Sequence, residues 1–337
     1  MIQVEPKNWR KFTMKNTFLF FIIASVLLIF TCTQKADNST RKKLVIDRWL
    51  ELWNTGNPAM ADVVFTSNFT SHIPHFPQVK DLESYKEEVV RTDTEIQGFH
   101  ATLEDVIVEG NKAAGRFTAT GKARGELMGM AVDTAQYTNT WIVVYHFSDN
   151  KIAEEWWEFD LLGVMQQLGV MPPSSEGPPA LQRSAPQDFV WSPSSSVTGD
   201  PGNPESNKTL VQKEYIAWNL RNVDTLMAVL DEVYSPDFAY HDPARPQITD
   251  LASYKKWAVD EVLKPFPDMS LTVDDIFAQG DKVVVRWTFV GTFVAFGKPL
   301  TQTGTSIYRI ADGKIVEAWC DFDMLGTVQQ IKAMSEQ

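Results

Sequence analysis

The stretch KIAEEWWEFDLLGVMQQLG, residues 151–169, returns as KIVEAWCDFDMLGTVQQIK, residues 314–332, with ten of nineteen positions identical and no gap. A chain that repeats an ending this closely folds the same unit twice, because the same order of apolar and polar residues asks for the same burial. The likeness runs upstream. FTSHIPHFPQVKDLESYK (69–86) lies on FAYHDPARPQITDLASYK (238–255), which sets His72 against His241 and Tyr85 against Tyr254. LEDVIVEGNKAAGRFTATG (103–121) lies on VDDIFAQGDKVVVRWTFVG (273–291), with Arg116 against Arg286. VYHFSDNKI matches IYRIADGKI, and Trp53-Asn54 matches Trp218-Asn219. The repeating unit is a domain of about 130 residues, too long for a solenoid repeat.

Residues 171–206, MPPSSEGPPALQRSAPQDFVWSPSSSVTGDPGNPES, separate the copies. Proline, serine and glycine dominate, so this segment can neither continue a helix nor fill a strand ladder. It reads as a linker in which Phe189, Val190 and Trp191 could dock on a domain surface. The two domains then span 41–170 and 207–337.

Each copy shows the same order of elements. Val45, Trp49, Leu52 and Trp53 make one apolar stripe on a first helix. Pro-rich and polar turns follow, then a second helix at LESYKEEVV or LASYKKWAVDEVL. Strands come next, expected at 103–109, 113–120, 134–147 and 151–159 in copy one, and at 271–278, 282–293, 301–310 and 314–322 in copy two. SDN and ADG are tight turns before the last strand. Helices followed by an antiparallel meander predict an α+β domain with helices on one face of a curved sheet.

The N-terminus reads as a targeting segment. Lys7, Arg10, Lys11 and Lys15 precede FLFFIIASVLLIF (18–30), thirteen residues that are too few to span about 30 Å of hydrocarbon but suit a signal-peptide core. Residues 1–31 are the expected leader, with Met1 or Met14 as its start. IFTC resembles a lipoprotein cleavage box that would lipidate Cys32, and a plain signal peptide or uncleaved anchor is the alternative. Residues 32–40 would be a tether. These features predict an exported protein held at a membrane. The chain has two cysteines, Cys32 and Cys320, so no disulfide framework is available. Cys320 reads as a buried, inert thiol. The net charge of −12 repels phosphate backbones, which argues against a nucleic-acid partner.

QGDKVVVRWTFVGT (279–292), SIYRIADGKIVEAW (306–319) and DLLGVMQQLG (160–169) resemble the SnoaL-like polyketide cyclase and ester cyclase family, of NTF2-like fold. The resemblance covers about 41–170 and 207–335. It implies two tandem cone-shaped domains, each a curved antiparallel sheet packed on helices around a pocket for a small, apolar or carbonyl-containing molecule, with no metal or cofactor. Domains of this fold often pair through the open sheet face, and a tandem chain could satisfy that face within itself, since a wet apolar face costs about 25 cal/mol per Å².

In the cyclases an Asp on the last strand is the general acid/base. Here that position is Trp157 in copy one and Cys320 in copy two, and neither can take the role. The neighbours Glu158 and Asp321 are acidic, but alternation turns them to the other face unless a bulge re-aims them. Asp160 and Asp323 precede short helices and read as N-caps or acids. His72 and His241 are pocket-mouth candidates; HIPH (72–75) has a metal-like spacing, but copy two lacks the second histidine and no metal is expected. Arg116, Arg286 and Tyr308 are candidates to hold a carbonyl or enolate oxygen. Trp156, Trp157, Trp287 and Trp319 are either core or cavity wall. Two functions stay open: an exported acid/base enzyme, or a non-catalytic ligand- or protein-binding module. On the enzyme reading copy two is the active cone, with Asp321 as acid/base and His241 as its partner. Trp157 would then block copy one.

Overall fold

A computed structural model describes residues 39–40, 42–127, 130–132, 134–171 and 198–336. The leader, Cys32, most of the tether and the linker residues 172–197 lie outside this range. Among the described residues no helix is long and apolar enough to cross a membrane.

In domain 1, helix α1 (42–55) is followed by a 3-10 turn at Pro58–Met60 and the short helix α2 (Ala61–Val64). Strand β1 (Phe65–His72) and helix α3 (Leu82–Glu95) come next. Asp81 starts α3 with a capping box: its side chain accepts from the backbone N–H of Ser84, whose hydroxyl reaches back. Then come β2 (Ile96–Glu109), β3 (Lys112–Ala123), the two-residue strands β4 (Glu126–Leu127) and β5 (Met130–Ala131), β6 (Gln136–Ser148), β7 (Lys151–Phe159) and α4 (Leu161–Gln167). Domain 2 repeats the order with α5 (Pro204–Leu220), α6 (Val223–Val233), β8 (Tyr234–His241), α7 (Leu251–Trp257), β9 (Ser270–Gln279), β10 (Lys282–Phe293), β11 (Lys298–Ala311), β12 (Lys314–Phe322) and α8 (Met324–Ser335). Asp250 and Ser253 rebuild the same capping box.

The two sheets have the same topology, β1-β7-β6-β3-β2 and β8-β12-β11-β10-β9. Four strands of each form the expected antiparallel meander. The fifth differs from expectation: β1 and β8, in the segments read as turns, pair in parallel with β7 and β12, so each sheet is mixed. The copies correspond down to single side chains. Asn54 clamps the backbone of Ala101 through its amide oxygen and nitrogen, and Asn219 clamps Leu271 in the same way.

The open sheet faces pack on each other. Ile107, Ala114, Ile142 and Val144 of domain 1 meet Phe277, Val284, Ile307 and Trp319 of domain 2 in one cluster, with Trp156 at its edge. The contacts are reciprocal, as in an isologous dimer interface. Val108 N–H donates to the Gln279 side chain at 2.8 Å, and Ala278 N–H donates to the Glu109 side chain at 2.9 Å. Lys112 pairs with Asp275, and Lys282 with Asp105. Arg116 lies over the Trp319 ring at 4.6 Å, and Arg286 over Trp156 at 4.8 Å. Helices α4 and α8 join a further shared cluster through Leu161, Met165, Met324 and Leu325.

Candidate functional site

Each domain encloses a cavity of about 120 Å³ between helices and sheet. An apolar cavity of roughly 150 Å³ holds a benzene ring, so each space suits a molecule with about one ring inside the cone. The walls differ. Cavity 1 is lined by Trp53, Phe99, Trp141, Trp157 and Phe159, with Glu88, Arg91 and Glu95 among its polar residues. Arg91 is held by both glutamates and lies over Phe76. Cavity 2 is lined by Phe266, Phe289, Phe293 and Leu300, and carries Glu214, Tyr215, Tyr254, Ser306, Tyr308 and Cys320 on its wall.

Glu214 is the residue that the functional reading of the sequence missed. It sits on α5, 1% exposed, and three donors converge on it: the Tyr234 hydroxyl at 2.7 Å, the Tyr254 hydroxyl at 2.8 Å and the Trp218 indole N–H at 3.2 Å. Burial pushes its pKa up, against the pull of these donors. Its signal was legible: Val211, Glu214, Tyr215 and Trp218 occupy one stripe of a helix, so a carboxylate lies on the buried face. Beside it the Tyr215 and Tyr308 hydroxyls share a hydrogen bond of 3.0 Å, and burial with the nearby Glu214 charge holds Tyr308 protonated. Trp287 donates to Ser306 at 3.0 Å, and Ser306 donates to Cys320. Helix α7 runs into a π-helical turn at Ala258–Leu263, and this wider turn contributes Glu261 and Val262 to the wall.

Domain 1 keeps the carboxylate but supplies it from another element. The Glu214 position there is Trp49, and the Ala318 position is Glu155 on β7. Glu155 is fully buried, accepting from Ser71 at 2.9 Å and from the Trp157 indole at 2.7 Å, and burial raises its pKa to about 7. Tyr85, the counterpart of Tyr254, accepts from Trp49 and Trp53. Glu155 is absent from the cavity wall and Trp157 is on it. The expectation that Trp157 blocks cone 1 needs correction: it is one wall of an open cavity, and its indole N–H donates to Glu155.

The candidates read from the sequence divide. Trp157, Trp287 and Tyr308 line cavities. Asp321 and Glu158 do not, because β12 pairs with β11 without a break from Phe322 to Glu317. Ala318, Cys320 and Phe322 therefore face the cavity and Asp321 faces the other domain, 3.4 Å from the Thr140 hydroxyl. Glu158 meets Thr303 by the equivalent contact. Asp160 and Asp323 cap α4 and α8 by accepting from Gly163 and Gly326. Trp156, Trp319, Arg116 and Arg286 belong to the domain interface and not to the cones. His241 stacks on Trp319 and bonds Glu317; His72 stacks on Trp156 and bonds Glu154, so neither lines a cavity. His75 goes to Asp323 of the other domain at 2.6 Å, which separates the HIPH pair.

The chain is similar to several proteins of known structure. Among solved structures, TsrD from Streptomyces laurentii is 25% identical over 39% of this chain and 97% of its own, with a TM-score of 0.37. IdmH from Streptomyces antibioticus is 23% identical over 38% of this chain and 99% of its own, TM-score 0.35. A protein of ketosteroid isomerase-like fold from Catenulispora acidiphila, in complex with trimethylamine, is 17% identical over 38% and 93%, TM-score 0.34. No curated protein matches the sequence. The pattern described as SnoaL-like polyketide cyclase matches residues 43–168 and again 209–331, well over half of the chain. The chain therefore belongs to the SnoaL-like polyketide cyclase family and carries the family's domain twice.

Proposed function

We propose that cone 2 binds a small, largely apolar carbonyl compound and that Glu214 moves a proton on it. The observation that carries this reading is a buried carboxylate on the cavity wall, ringed by tyrosine hydroxyls, where Ala318 and Cys320 leave room beside it. Glu214 would take a proton from the carbon next to the carbonyl. The developing enolate oxygen would accept a hydrogen bond from Tyr308, whose own oxygen is held by Tyr215. Ring closure by carbon–carbon bond formation and isomerisation can each begin with such a step, whereas hydrolysis would have Glu214 take its proton from an attacking water. Tyr234 and Tyr254 orient Glu214 and favour its charged form, while burial opposes that form, which moves it toward the range where it can both take and return a proton.

A second reading has its own support. Both oxygens of Glu214 already accept bonds from the protein, which also suits a fixed strut in a cone that only binds its ligand. Hydrogen–deuterium exchange at the α-carbon of 2-tetralone in D2O separates the two. On the enzyme reading the wild-type chain accelerates exchange, and Glu214→Gln lowers that acceleration by about 10²- to 10⁴-fold. Exchange at the buffer rate, or exchange untouched by Glu214→Gln, leaves the binding module.

Export and lipid attachment at Cys32 belong to the same reading and are supported by residues 18–32 of the sequence. Mass spectrometry of the membrane-associated protein should find a lipid on an N-terminal Cys32. An intact leader, or a Cys32→Ala chain with unchanged lipid partitioning, would remove that part.

A further inference from the structure

Arg245 is a cation on the wall of cavity 2 that no step above uses. It lies in the turn after β8, at the position where copy one has Phe76. Its guanidinium is wedged between two rings, 4.6 Å from the centroid of Phe322 and 5.1 Å from that of Trp257, and its side chain is 11% exposed. Asp242, fully buried below it, accepts from Nη1 at 3.2 Å and from the backbone N–H groups of Ala244 and Arg245. That is the only side-chain hydrogen bond Arg245 makes among the described residues. Nε is buried without a hydrogen-bond partner. Glu261, on the same wall, is not within ion-pair distance of it; burial raises the Glu261 pKa, and the nearby Arg245 charge pulls it back down.

A guanidinium that lies over two aromatic rings, oriented by one carboxylate and left with an unpaired Nε, carries the fork that recognises a planar two-oxygen anion. We infer that Arg245 binds a carboxylate group of the molecule taken into cone 2, so that the ligand is a small apolar acid with its body among Phe266, Phe289 and Phe293. This rests on cone 2 being the ligand-binding cone. Packing alone would account for Arg245 if it were a strut. A strut would show no preference between a carboxylate and its uncharged analogue.

The test compares 3-phenylpropanoate with 3-phenylpropanamide on the full chain, by calorimetry or by the fluorescence of Trp218, Trp257 and Trp287 on the cavity wall. The acid should bind about ten- to a hundredfold tighter than the amide. Arg245→Met should abolish that preference by weakening the acid far more than the amide, and the amide binding that remains reports that the cavity is intact. Arg245→Lys, a point charge without the fork, should keep only part of it, and serves if the methionine variant does not fold. Equal binding of both probes to the wild-type chain, or a preference that survives in Arg245→Met, overturns the inference and leaves cone 2 as the ligand site. Binding of neither probe overturns the cone 2 reading and this inference together.

Discussion

At the scale of single residues, Glu158 and Asp321 are buried outside both cavities, where an acid bears on stability. Asp321 is 1% exposed, and burial first, then the charges of Asp160, Asp242 and Glu158, push its pKa well above the usual carboxylate range. The folded chain therefore keeps a proton that the unfolded chain releases near 3.8. The stability tied to the neutral acid is complete below that value and is lost as pH rises through the higher folded value. Glu158, raised by burial and by Asp323, acts in the same direction, with Arg286 opposing. Asp321→Asn, which is neutral at every pH, should thus gain stability over wild type at pH 8 and lose most of that advantage at pH 5. Urea denaturation at the two pH values reads this out. An advantage that is equal at both, or a loss at pH 8, would mean that Asp321 is charged in the folded protein.

At the scale of elements, the two copies reach the same polar centre by different routes. In domain 2 the buried carboxylate comes from α5, in domain 1 from β7, and in both it lies beside the tyrosine of the second helix, Tyr254 or Tyr85. The exchange does not conserve volume: copy one has Trp49 and Glu155 where copy two has Glu214 and Ala318, so the larger side chain stands at both positions in copy one. Strand β1 shows a different dependence on context. FTSNFTSH has little β-branched or apolar density beyond Phe65 and Phe69, and it becomes a strand because the edge of β7, far along the chain, accepts it. Gly304 on β11 leaves room for Trp287, which lines cavity 2, since a Cβ there would come within 2.2 Å of the Trp287 ring.

At the scale of the whole molecule, one chain builds what two subunits would otherwise build. The apolar cluster between the sheets is framed by four matching pairs of contacts, so each domain alone would leave Trp156 or Trp319 and its neighbours wet. Residues 42–171 and 198–336 produced as separate chains should associate one to one, and either alone should self-associate or aggregate. Analytical ultracentrifugation decides this. Two monodisperse monomers that ignore each other would show that the interface contributes little.

The sequence by itself determined the doubling of the domain, the meander of strands and the second helix of each copy, capped by Asp81-Ser84 and Asp250-Ser253, because these follow from short-range signals. Helix α6 (Val223–Val233), by contrast, formed in a segment read as turns. The alternation that turns Glu158 and Asp321 away from the cone was also legible, and so was the carboxylate on the buried stripe of α5. What the tertiary structure decided was which face meets what. Alternation separates the two faces of β7 and β12, but only the packing of sheet on sheet makes one of them an interface and the other a cavity wall. That is why Arg116, Arg286, Trp156 and Trp319, equally good as pocket residues in the linear chain, hold the domains together. Arg245 lies in a turn with no periodic pattern, and it reaches the cavity because the loop after β8 folds over Phe322 and Trp257, contacts that lie beyond the reach of local sequence.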